Sequence, residues 1–161
     1  MTLSIRRAVP GDAALVDRFV RELADYEHLL HEVEGNEADF DQALFGPNPR
    51  VFCDLAEWDG TPVGQALWYY SFSTFSCRHG IYLEDLYVDP GFRGRGIGKA
   101  LIARLAERCI DEGLSRLSWE VLDWNAPSIA FYQSIGAVAR KEWVSNRLTG
   151  DALLRLAGRA A

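Results

Sequence analysis

No apolar run in this sequence approaches the ~20 residues that a membrane-spanning helix requires. The opening Met-Thr-Leu-Ser-Ile-Arg also lacks the apolar core of a secretory leader. A cytoplasmic protein with no membrane partner is expected. Cysteine is scarce: Cys53, Cys77 and Cys109 are widely spaced, odd in number and set in apolar company, so they read as buried thiols. His28, His31 and His79 have no metal-site spacing with any of them, and no metal is expected. Positive charge is missing from Glu22 to Asn48, a stretch holding eight acids, among them Glu27, Glu32, Glu34 and Glu37. Two readings fit it: a solvated helical face, or a negative rim that concentrates amines. The net charge of −6 argues against a nucleic-acid partner and favours a cationic one.

What is present suits one soluble α/β domain spanning residues 1–161, with 48% hydrophobic and 25% charged residues. Leu3 to Arg6 alternates as a first strand. Pro10-Gly11-Asp12 turns it, with Asp12 as N-cap of a helix whose apolar face is Leu15, Phe19, Leu23 and Tyr26. A second helix spans Glu37 to Phe45 and ends at Gly46-Pro47. Val51–Trp58 and Val63–Phe72 read as strands joined at Asp59-Gly60, a hairpin signal. A polar loop from Ser73 to Gly80 leads to a strand from Ile81 to Val88. Leu117–Leu122 is a further strand, Ala126–Ser134 a short helix behind Asn125, and the tail predicts strands near Ala139–Val144 and Ala152–Leu156.

The chain is organised around Leu83 to Glu112. An apolar strand carrying Glu84 and Asp85 breaks at Asp89-Pro90-Gly91 and enters the basic turn Arg93-Gly94-Arg95-Gly96-Ile97-Gly98. A helix follows, with Leu101, Leu105 and Cys109 on its apolar face and Gly113 as its stop. Strand, glycine turn and helix N-terminus form an anion cradle, in which backbone N–H groups approach the ligand and the helix dipole adds positive potential. Arg93, Arg95 and Lys99 add full charge, so the ligand carries phosphates. A nucleotide P-loop is excluded, because Arg93 stands at its first glycine and Ala100 follows Lys99. The dinucleotide fingerprint fails as well, with Lys99 at its third glycine.

The stretch does match Arg-x-x-Gly-x-Gly, as Arg93, Gly96 and Gly98 behind a strand ending Val88-Asp89-Pro90. In this it resembles the pyrophosphate-binding motif of the GCN5-related N-acetyltransferase family. Trp124-Asn125-Ala126-Pro127-Ser128-Ile129-Ala130-Phe131-Tyr132 resembles the second motif of that family. Taken alone, Asn125 is a helix cap and Tyr132 a core aromatic; with both motifs in order, the resemblance implies contact with the cofactor's pantetheine arm and sulfur. Adding Tyr82-Leu83-Glu84-Asp85 and Glu22-Leu23-Ala24-x-Tyr26-Glu27, nearly the whole chain resembles the diamine (spermidine/spermine) N-acetyltransferase branch and its thialysine-acetylating relatives. The resemblance implies a mixed, mostly antiparallel sheet of about seven strands, splayed at the cofactor site, with helices on both faces. It also implies a homodimer, acetyl-CoA as donor and a small amine as acceptor.

By the same resemblance, the cofactor-binding set is Leu86, Tyr87, Val88, Arg93, Gly94, Arg95, Gly96, Ile97, Gly98, Lys99, Asn125, Ser128, Phe131 and Tyr132. The substrate-binding set is Tyr26, Glu27, Glu84, Asp85 and Trp143. The loop Thr74-Phe75-Ser76-Cys77-Arg78-His79 lacks the branch's tryptophan, and Lys141-Glu142 replaces carboxylates expected before Trp143, so the identity of the amine stays open.

The chemistry assigns the catalytic pair. An alkylamine is neutral in only ~1 molecule in 2,500 at pH 7, a deficit of roughly 4–5 kcal/mol, so a site carboxylate must take its proton. Glu84 is the candidate, with Glu27 and Asp85 holding the cation's other end. A backbone N–H near Tyr87 faces the developing oxyanion. The departing thiolate, of pKa about 8.5, needs a proton donor, and Tyr132 is that phenol. Small-amine acetylation is the leading expectation; protein or peptide N-terminal or lysine acetylation is the alternative. A non-catalytic acetyl-CoA sensor would need neither Tyr132 nor Glu84.

Overall fold

The computed structural model describes residues 1–159. They fall into two compact units, Met1–Asn125 and the chain from Ala126 onward. The first unit is built on a five-stranded sheet in the order β1-β2-β3-β4-β5. Its strands are β1 (Leu3–Arg7), β2 (Phe52–Trp58), β3 (Thr61–Ser73), β4 (Arg78–Val88) and β5 (Leu117–Ser118). β1 to β4 are antiparallel neighbours, and β5 joins β4 in parallel. The β2–β3 hairpin closes as its sequence predicts: Asp59 and Gly60 take φ of 49° and 79°, the doubly left-handed turn that suits twisted strands.

Helices cover both faces. On one lie α1 (Ala13–Tyr26) and α2 (Glu37–Phe45). Val16 and Phe19 of α1 bury against Cys53, Leu55, Leu67 and Tyr87 of the sheet, with Leu15 and Leu23 packed around them. On the other lies α3 (Ile97–Asp111), which buries Ile97, Leu101, Ile102, Leu105 and Cys109. The neighbours Leu67 and Trp68 report the two faces: Leu67 joins the α1 cluster, while the Arg108 guanidinium of α3 stands 5.2 Å from the Trp68 ring. Side chains alternate across a strand, so the two helices are on opposite sides.

Several expectations are corrected. Asp12 sits at the N-cap position of α1 but does not cap it. Its carboxylate is taken by Arg6, at 2.7 and 3.1 Å, and by the Val9 N–H at 2.8 Å, a charge-assisted fork that outcompetes the cap. The polar loop expected from Ser73 to Gly80 is shorter: Thr74–Cys77 forms the turn, and Ser73 and Arg78–Gly80 belong to the strands. Cys77 lies exposed in that turn, whereas Cys53 and Cys109 are buried as expected. The strand expected over Leu117–Leu122 keeps only Leu117 and Ser118 in the ladder.

The second unit holds α4 (Ala126–Ser134), as its motif predicts, and α5 (Gly150–Leu156). Here the expected strands fail, so the described residues form five strands and not seven. Ala139–Val144 is irregular, and Ala152–Leu156 is helical. Ala-Leu-Leu-Arg-Leu is a run of strong helix formers with Asp151 in the first turn, and no ladder partner overrides that preference.

Candidate active site

The site grows from the edge where β4 loses its neighbour. β5 pairs only with Ile81 and Tyr82, so from Leu83 to Val88 the far side of β4 has no strand partner among the described residues. This is the splay expected of the sheet. Opposite it, the β3–β4 ladder slips by one: Leu67 faces Asp85, Trp68 faces Leu83, and Glu84 is the additional residue of a β-bulge. A bulge re-aims side chains. Asp85, paired with Leu67, lies on the α1 face; Leu83, paired with Trp68, lies on the α3 face; Glu84 follows Leu83 and so returns to the α1 face. Two consecutive acids therefore share one face, which an unbroken strand forbids.

The third acid, Glu27, follows α1 on that same face. Glu84 is exposed, while Asp85 and Glu27 are half-buried. Burial, then the neighbouring Glu84 and Glu27 charges, push the Asp85 carboxyl up to about 6. Burial also raises Glu27.

At the other end of β4 the glycine turn is built as the motif requires. Asp89 accepts the Gly91 N–H at 2.8 Å and fixes the break; Gly94 and Gly96 take φ of 76° and 81°. The first helical bond of α3 runs from Ala100 N–H to Gly96 carbonyl at 2.9 Å, so the N–H groups of Ile97, Gly98 and Lys99 face out of the helix end. A Cβ on Gly94 or Gly96 would meet no atom within 4 Å: the cradle is open on the ligand side. Arg93 donates through Nε to the Val88 carbonyl at 2.9 Å and lies over the Tyr26 ring at 4.9 Å. Arg95 rests on Trp58 and Phe92, 5.3 and 5.1 Å from their centroids. Open donors backed by Arg93, Arg95 and Lys99 fit a pyrophosphate. Beside the turn, Glu22, Asp25, Tyr26, Tyr87, Asp89, Pro90 and Arg93 line a pocket of about 410 Å³.

Tyr26 links the parts. Its hydroxyl donates to Asn125 Oδ1 at 3.3 Å, and its ring faces Trp124 at 6.2 Å. Asn125 is buried, 5% exposed. Leu86, Tyr87 and Val88 stand on the open edge of β4; the Tyr87 side chain is buried against Phe19, ring centroids 5.2 Å apart. Ser128, Phe131 and Tyr132 lie half-buried on α4, the last two rings 5.3 Å apart, and Trp143 is 68% exposed. These four belong to the second unit. Tyr69 and Tyr82, given no role from sequence, stack with ring centroids 5.2 Å apart, and burial, then the Glu84 and Glu120 charges, raise both phenols. Alternation of Tyr82 with Glu84 was the available signal for one of them.

A splayed parallel–antiparallel edge beside a glycine turn at a helix N-terminus defines an acyltransferase site, and the comparisons agree. Residues 16–137 match the Acetyltransferase (GNAT) family. The chain belongs to that family and is an acetyltransferase. It is 40% identical to a thialysine N-epsilon-acetyltransferase of Sus scrofa, over 96% of this chain and 97% of that one. An L-ornithine N5-acetyltransferase of Arabidopsis thaliana is 28% identical over 92% of this chain and 85% of its own length. Among solved structures, an integron cassette protein from the mobile metagenome of V. cholerae superposes with a TM-score of 0.80 at 29% identity, covering 98% of each chain.

Proposed function

We propose that the chain transfers an acetyl group from acetyl-CoA to the primary amine of a small cationic substrate: a diamine, a polyamine or a lysine-like amino acid such as thialysine. The observation that carries this reading is the convergence of Glu27, Glu84 and Asp85 on one face of β4, beside its unpaired edge. Like charges held together raise one another's pKa, and a cationic ligand relieves that repulsion. The near full-length similarity to thialysine and ornithine acetyltransferases supports the same class.

Bound acetyl-CoA supplies an activated thioester carbonyl. The turn Arg93–Lys99 holds its pyrophosphate; Leu86, Tyr87, Val88, Asn125, Ser128 and Phe131 orient the rest. Tyr26, Glu27, Asp85 and Trp143 hold the amine. Glu84 takes the ammonium proton, directly or through water, and frees the lone pair that attacks. A backbone N–H near Tyr87 donates to the carbonyl oxygen as negative charge builds there. Tyr132 gives its proton to the departing thiolate.

The enzyme works in the cytoplasm on free small molecules, with neither nucleic acid nor membrane as partner, and as a homodimer. No helix among the described residues is long and apolar enough to cross a membrane. Val138, Trp143, Val144 and Leu156 are 82, 68, 80 and 78% exposed, apolar surface that a second copy would cover. Size-exclusion chromatography with light scattering, followed by assay of each fraction with acetyl-CoA and hexamethylenediamine, tests the whole reading. Acetylated diamine should form in the fraction whose mass is twice 18.1 kDa. Activity at the mass of one chain would contradict the dimer, and absence of product in all fractions would contradict the diamine reading.

A further inference from the structure

Past Tyr82 and Ser118 no ladder bond joins β4 to β5 among the described residues, so the splay has two walls. One is β4 itself, running on from Leu83 through Val88 to Arg93. The other is the chain beyond β5, which turns where the Asn125 N–H donates to the Leu122 carbonyl at 2.9 Å. The end of α1 touches both. The Arg93 guanidinium lies over the Tyr26 ring at 4.9 Å, and the Tyr26 hydroxyl donates to Asn125 Oδ1 at 3.3 Å. The Tyr26 ring also faces Trp124, and the His28 ring stacks on Trp124 with centroids 5.7 Å apart and planes 28° apart.

The backbone at this helix end is shaped for those contacts. The Leu29 N–H reaches the Ala24 carbonyl at 2.8 Å and the His28 N–H the Asp25 carbonyl at 3.0 Å, the paired bonds of a Schellman end. Such an end places one residue in the left-handed region, where glycine is the usual occupant. Here that residue is His28, at φ of 63°. Histidine at this position carries backbone strain that glycine would not. What it adds is a ring against Trp124.

We propose that Tyr26 is a positioning residue for the cofactor: its ring fixes Arg93 on the pyrophosphate side and its hydroxyl fixes Asn125 on the pantetheine side. The end of α1 is then a clasp that sets the width of the cofactor slot. The inference rests on the acetyl-CoA reading above and adds a second role to the amine contact given there to Tyr26. Arg93 Nε donates to the Val88 carbonyl at 2.9 Å, and Nη1 and Nη2 are its donors for a phosphate. A guanidinium stacks through its face and hydrogen-bonds through its edge, so resting on Tyr26 leaves the phosphate edge in use. Arg93 is exposed, and an exposed arginine samples many rotamers. Tied at Nε and held flat on a ring, it is ordered before the cofactor arrives, which lowers the entropy lost on binding. Asn125, 5% exposed, is oriented by the same side chain. The grip on the pyrophosphate and the grip on the pantetheine are thus coupled through Tyr26.

The test is a double-mutant cycle read as the Kd of coenzyme A by calorimetry, where stoichiometry reports the folded fraction separately from affinity. Tyr26→Phe keeps the ring and loses the hydroxyl, while Tyr26→Leu loses both. Tyr26→Phe should weaken coenzyme A about threefold, and Tyr26→Leu about tenfold. Combined with Arg93→Ala, the two Tyr26 substitutions should differ by less than about twofold, because the ring then has no guanidinium to hold. A Tyr26→Leu protein within about twofold of the unaltered one overturns the clasp, as does an equal gap between the two substitutions with and without Arg93. So does a Tyr26→Phe protein that binds coenzyme A as tightly as the unaltered one, since the hydroxyl then fixes nothing. Each of these results leaves the cofactor reading standing. An unaltered protein that binds no coenzyme A overturns that reading and the clasp with it.

Discussion

Among single residues, Asp85 is the one whose environment alters its chemistry most usefully. An aspartate ordinarily titrates near 3.9, yet burial and the flanking Glu84 and Glu27 charges bring this one to about 6. Its folded pKa lies above its unfolded one, so between those values the native state binds more protons. Its contribution favours folding at low pH and is lost as pH rises through about 6. Near neutrality Asp85 is ionised at a cost to stability, and a cationic substrate offsets that cost. Carbon-13 NMR titration of the side-chain carboxyls should place Asp85 near 6 in the free protein, and Glu84→Gln or Glu27→Gln should lower its midpoint. A midpoint in the ordinary aspartate range would contradict the burial of Asp85, and a raised midpoint that neither substitution moves would show that the three acids do not share a face.

At the scale of elements, the glycine turn and the bulge divide what could be read from sequence from what could not. The turn was legible because glycine, charge and helix onset are local: Gly94 and Gly96 adopt the positive φ their spacing implies, and α3 begins at Ile97. The same locality made Asp59-Gly60 readable. The bulge was not legible. Period-two counting assumes an unbroken ladder, and the slip opposite Trp68 is set by the pairing of two strands, not by either alone. The tail failed for a related reason: alternation at Ala152–Leu156 carries little weight against helix propensity where no strand receives it. The turn yields a prediction of its own. Gly96→Val places a β-branched residue at φ of 81° and a side chain in the open cradle. Calorimetry should show acetyl-CoA affinity reduced tenfold or more, with Arg93→Ala reduced comparably through loss of a charge-assisted bond. Unchanged affinity in a folded Gly96→Val protein would contradict the cradle.

For the whole molecule, the sheet is a scaffold that turns one strand into a reaction edge. β5 holds β4 through only two pairs and then departs, so among the described residues Leu83–Val88 has no strand partner on one side, while α1 covers one face and α3 the other. The glycine turn with Arg93, Arg95 and Lys99 stands at one end of that edge and carboxylates at its middle. A net charge of −6 extends the preference for cations to the surface. On the proposed reading this edge acetylates charged aliphatic amines, and initial rates with saturating acetyl-CoA over a panel of diamines, thialysine and a neutral arylamine decide it. Every charged aliphatic amine of suitable length should exceed the arylamine in kcat/KM, and added salt should raise their KM by screening the acids. An arylamine turned over at least as well as every diamine and amino-acid amine would contradict the claim.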